Sequence, residues 1–90
     1  MLYVILMKAR EGKLKDAIAR RLQWKPPEGM RVLGEYWVQS AEISCIAIFE
    51  GDHIAPMMEF ECTWEDVFEI TFIPAVSAQD GMEVAKKMMG

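Results

Sequence analysis

Lysine and arginine never gather in this chain of 90 residues. Ten of them stand against fourteen Asp and Glu, giving a net charge of −4 and a pI near 4.9. The longest basic runs are the pairs Arg20-Arg21 and Lys86-Lys87. Neutralising a phosphate backbone takes a basic footprint, so nucleic acid is not an expected partner. The same shortage argues against an anionic membrane surface. Histidine is almost absent: His53 stands alone, with no HxH, HxxE or HxxxH spacing to suggest a several-ligand metal site, so no metal and no cofactor is expected. Cys45 and Cys62 form no CxxC and have no second pair. Two reduced thiols are the expectation, as in a cytoplasmic protein. No apolar run approaches the roughly 20 residues of a membrane span. The opening MLYVILMKAR has no basic segment before it and no small-residue cleavage site after it, and reads as a strand rather than an export signal.

What the chain does have is apolar material. Hydrophobic residues make up 52% of it, with eight Met and three Trp. A chain of this length forms one domain, over residues 1–90, with a thin core. More apolar surface is present than so small a monomer can hide, and the natural outlet is a subunit interface.

Periodicity orders the elements. Leu2 to Met7 is apolar on both faces and reads as a central strand. Glu11-Gly12 breaks it. Leu14, Ala17, Ile18, Arg21 and Leu22 then follow helical spacing until Pro26-Pro27. Arg31–Val38 and Ile43–Glu50 read as a hairpin of two strands, with Gly34 predicting a bulge or a close backbone approach. A second helix follows, with Asp52 as expected N-cap, Pro56 in its first turn, and Ile54, Met57, Met58 and Phe60 as its apolar positions. Trp64 closes that helix, Glu65-Asp66 form a solvated turn, and Val67–Ala75 is the fourth strand. Ser77, with Asp80 three residues on, opens a last helix by the spacing of a capping box. The order is β-α-β-β-α-β plus a terminal helix, the ferredoxin-like split βαβ pattern: an α+β domain with a four-stranded antiparallel sheet. Two helices cover one sheet face. The other face is also apolar, because Leu2, Val4 and Leu6 alternate with Tyr3, Ile5 and Met7, and neither set suits water. A second copy related by a two-fold axis is the expected cover.

Three stretches carry a resemblance. WEDVFEITFIPAVSAQDG is similar to the closing W-x-D segment, ending in P-V, of a small family of unknown function in the dimeric α+β barrel superfamily. MLYVILMKAREGKLKDAIARRL resembles that family's first strand and helix, and PPEGMRVLGEYWV its loop and second strand. The resemblance implies a homodimeric α+β barrel. The wider superfamily includes cofactor-free monooxygenases, haem-degrading enzymes and muconolactone isomerases, and the fold alone does not choose among them.

Candidate chemistry is sparse. His53 is either a ligand or general base, or an ordinary helix-start histidine. Glu35 and Glu69 stand inside strands, where a buried carboxylate could serve as acid or base. On outer strands, however, acids also discourage edge pairing. Trp37, Trp64 and Met57 are expected to line a pocket for a small apolar or aromatic metabolite between sheet and helices, against the alternative of plain core packing. Cys45, on an apolar strand, is expected to be inert. Two functions compete: a non-catalytic ligand-binding module, and a cofactor-independent monooxygenase or isomerase acting on a flat hydrophobic substrate. No catalytic dyad is legible, which favours the first.

Overall fold

The computed structural model describes all 90 residues. Strand β1 spans Leu2–Ala9, helix α1 Leu14–Arg21, β2 Met30–Trp37, β3 Cys45–Gly51, α2 Ala55–Trp64, β4 Phe68–Ala75 and α3 Ala78–Met89. The four strands form one sheet in the order β2-β3-β1-β4, with every neighbouring pair antiparallel. This is the ferredoxin-like arrangement expected from the element order.

Period-two alternation divides the sheet into two faces. Tyr3, Ile5 and Met7 of β1 and Cys45, Ala47 and Phe49 of β3 are buried beneath the helices. They meet Met57, Phe60 and Trp64 of α2, Ala17 of α1, and Val67 and Phe68 at the start of β4. The opposite face carries Leu2, Val4, Leu6, Ile46 and Ile48, all partly exposed, with Leu33, Tyr36 and Ile73 more open still. No element of the chain covers them.

Strand β2 departs from simple alternation. Val32 lies opposite Phe49, Gly34 opposite Ile48 and Glu35 opposite Ala47, so Leu33 is an extra residue in a bulge. The insertion reverses the phase of the strand. Without it, Glu35 and Trp37 would share the open face; with it, both turn toward the helices. Gly34 supports the distortion, since a Cβ there would stand 3.2 Å from the Tyr36 ring.

The helices differ from expectation in detail. On α1 only Ala17 is buried, while Leu14, Ile18 and Leu22 are exposed; the helix rests on the sheet by one narrow contact rather than a full apolar stripe. Its position is fixed from the side instead. Arg20 forks onto the Asp66 carboxylate at 2.7 and 2.8 Å, donates to the Thr63 carbonyl at the end of α2, and sits over the Trp64 ring. Asp52 does not cap α2: the N-cap position falls to Ile54 and has no side-chain bond. Proline in the first turn suffices there, because its missing N–H would have had no partner. Ile54 and Met58, expected on the buried side, are exposed. The cap of α3 is as expected, with Ser77 Oγ accepting from the Asp80 N–H at 3.0 Å.

Ile5 is fully buried at the centre of the sheet. Ile5→Ala should cost about 3–4 kcal/mol, the transfer loss plus the cavity it leaves. Urea unfolding followed by far-UV circular dichroism checks this through the shift in midpoint at constant slope.

Candidate functional site

The bulge, the end of α1 and one face of α2 converge on a single cleft between sheet and helices. Met7, Cys45, Ala47 and Phe49 form its floor, Phe60 and Trp64 one wall, and Arg21, Trp24, Glu35 and Trp37 the other. The cleft is shallow and largely filled by its own side chains, well below the roughly 300 Å3 of a preformed small-molecule pocket. Its cavity volume, about 20 Å3, admits no more than a water molecule. Anything larger must displace the side chains at the mouth, where Trp37 is exposed and Arg21, Trp24 and Glu35 are partly so.

The walls are held by aromatic edges. Trp24 meets Phe60 at 5.7 Å and Trp64 at 5.8 Å between ring centroids, both edge-on. Phe60 also meets Phe49 edge-on at 5.0 Å. These separations and angles are the favoured ones for rings with a negative face and a positive edge.

Polar groups are few and specifically paired. Arg21 donates from Nε to Glu35 Oε2 at 2.9 Å and from Nη2 to Oε1 at 2.8 Å. Trp37 Nε1 donates to Oε2 at 3.0 Å. The guanidinium of Arg21 also lies 5.4 Å from the Trp24 ring centroid, a cation–π distance. Hydrogen bonding from Arg21 holds the Glu35 carboxyl below its ordinary range despite partial burial, and the Trp37 N–H assists. The same pairing raises Arg21. Burial pushes the Cys45 thiol up to about 11, and the Glu35 charge adds to this. One polar atom has no partner: Trp64 Nε1 is buried and nothing accepts from it.

The chemistry of the cleft follows. Glu35 stays ionised and is a weaker base than a free carboxylate. Cys45 stays a thiol, as its strand position led one to expect, and is no nucleophile at neutral pH. Trp64, in the cleft wall, carries a buried donor with no partner.

Of the residues singled out from the sequence, Glu35, Trp37 and Trp64 meet here, beside the inert Cys45. The others do not. Met57 is buried outside the cleft, at the far end of β3, where a Cβ on Gly51 would stand 2.9 Å from its Cε. His53 is an exposed residue of the loop beyond that same strand end. Glu69 lies opposite Lys8 on the open face, exposed and 3.9 Å from Arg10. Nowhere do three or more His, Cys, Asp or Glu side chains converge as metal ligands would. Arg21 is the residue that sequence reasoning passed over. The signal was present, because Arg21 falls on the apolar stripe of α1 and Glu35 within an apolar strand. A charge on each of two apolar faces asks for a partner, but which partner each finds is decided by the fold.

A family model described as "Domain of unknown function (DUF3303)" matches residues 1–89. The chain belongs to the DUF3303 family. No curated protein matches it. Among solved structures, the DUF3303 chain is similar to the "crystal structure of FFRP-DM1", with a TM-score of 0.56 and 19% identity over 83% of this chain and 97% of that one. At that identity the likeness establishes the fold alone, and it agrees with the ferredoxin-like sheet. No helix of the DUF3303 chain is long and apolar enough to cross a membrane.

Glu35 has a lowered folded pKa, so its contribution to stability is present above its ordinary value of 4.5 and is lost as pH falls through the folded value. Glu35→Gln should therefore flatten the acid limb of stability against pH, leaving the part due to Asp66, which Arg20 holds at about 2. At pH 7 the substitution should cost about 1–2 kcal/mol, a charged hydrogen-bond loss tempered by the partial exposure of the pair. Urea midpoints from pH 3 to pH 7 for the two proteins provide the comparison.

Proposed function

We propose that this domain binds a small flat apolar or aromatic molecule in the cleft between sheet and helices, as a homodimer and without catalysing its conversion. The observation that carries the reading is the combination of three tryptophans around one recess with a buried, unpartnered indole N–H. Apolar walls with a few placed polar groups are the usual make-up of a small-molecule site. A buried donor without an acceptor costs free energy that a ligand oxygen or a bound water would recover.

Binding is favoured over a monooxygenase or isomerase reaction by the state of the titratable groups. A general base works best with a pKa near the working pH, and Glu35 is shifted the other way. Cys45 is shifted away from thiolate, and His53 stands at the opposite end of β3 from the cleft. The homodimer is supported by the uncovered apolar face of the sheet.

The test uses 2-naphthol, a flat aromatic with one hydroxyl, followed by the indole N–H signals in 1H–15N correlation spectra. Trp64 and Trp37 should shift saturably, and Trp37→Ala should weaken binding about tenfold, as expected for loss of one aromatic wall. Indole signals that stay unmoved up to the solubility of the probe would contradict the reading.

A further inference from the structure

Helix α3 is the least integrated part of the molecule. Ala78, Met82, Ala85 and Met89 recur along one side of it, and Gln79, Asp80, Glu83, Lys86 and Lys87 lie on the other. Such a split belongs to a helix with one buried face. Yet no residue of α3 is buried, and Met88 and Met89 are 82% and 89% exposed. The radius of gyration is 15.0 Å, against about 12 Å for a compact domain of 90 residues, and the longest extent is 51 Å. The helix stands off the body rather than lying on it.

The stand-off is built into the junction. Only Val76 and Ser77 separate β4 from α3. Ser77 is extended, at φ −62° and ψ 155°, and its side chain caps the helix. Val76 stands beside Gly81, where an added Cβ would lie 3.5 Å from its Cγ1, so the start of the helix runs close to the end of the strand. A two-residue connection with a capped helix start leaves little free chain between β4 and α3.

Two apolar surfaces of one chain thus lack cover: the stripe of α3 and the open sheet face with Leu33, Ile73 and Val76 at its margin. Leu33 and Tyr36 on the sheet and Met82, Met88 and Met89 on the helix are each more than half exposed, and closing both surfaces together offers the several hundred Å2 per partner that a standard interface buries. We propose that α3 is an exchanged arm, its Met82–Met89 stripe lying against the open sheet face of a second copy of this chain. Two-fold symmetry then gives each protomer the other's helix, so both uncovered surfaces close in one step. This rests on the homodimer inferred above and adds which element crosses.

The experiment mixes two chains in equal amounts, both carrying Cys62→Ser. One is 15N-labelled and otherwise unaltered. The other is unlabelled and bears Lys87→Cys with a nitroxide; Cys45, 1% exposed, does not compete for the label. The expected result is broadening of the amides of Val4, Leu33 and Ile48 in the 15N chain, which carries no nitroxide of its own. Broadening confined to the nitroxide-bearing chain, seen when that chain is the 15N-labelled one diluted tenfold in unlabelled protein, would mean the helix folds back on its own sheet and would overturn the proposal. A second measurement compares dimer dissociation constants for the full chain and for a chain ending at Val76. At least a tenfold weakening is expected. An unchanged constant would overturn the arm and leave the dimer standing, whereas a full chain that stays monomeric would overturn both.

Discussion

A four-stranded sheet whose two faces are both apolar, in a chain with only two helices packed upon it, is the constraint on which the rest of this structure depends. Leu2, Val4 and Leu6 alternate with Tyr3, Ile5 and Met7 along β1, and β3 does the same with Ile46 and Ile48 against Cys45, Ala47 and Phe49. Apolar area drives burial in proportion to its extent, whichever way it points. The helices α1 and α2 satisfy one face and create a cleft there. The other face has no cover within the protomer, and the outward set of α3 leaves a matching apolar stripe.

Within the covered face, the geometry of the cleft depends on one extra residue. The bulge at Leu33 reverses the phase of β2 and brings Glu35 and Trp37 to the helix side. A carboxylate placed there needs a cation, and Arg21 supplies it from the last turn of α1. The neighbouring Arg20 reaches the other way, to Asp66 and the end of α2. Adjacent arginines thus tie α1 to β2 on one side and to the α2–β4 turn on the other. This substitutes for the apolar contact that Leu14, Ile18 and Leu22 do not make.

How much of this was legible in the sequence depended on the range of the signal. Short-range chemistry read well. Gly34 marked the bulge, the Ser77–Asp80 spacing marked a helix start, and Trp64 closed α2 where helical spacing placed it. Strand order followed from the alternation of elements. Pairings between distant elements did not read. Arg21 and Glu35 are fourteen residues apart on different elements, and only the fold brings them together. Met57 suited a pocket wall by residue type, but its turn of α2 lies over Gly51 rather than over the cleft. The expected cap at Asp52 failed because the helix begins three residues later, at Ala55. His53 and Glu69 were attractive by residue type, and each lies away from the recess where the aromatic side chains gather.

Sedimentation equilibrium of the full chain over micromolar concentrations bears most directly on the two-faced sheet. A mass near twice 10.3 kDa is the predicted result, because the uncovered face and the outstanding helix would then both be buried. A mass of 10.3 kDa at every concentration would contradict the account.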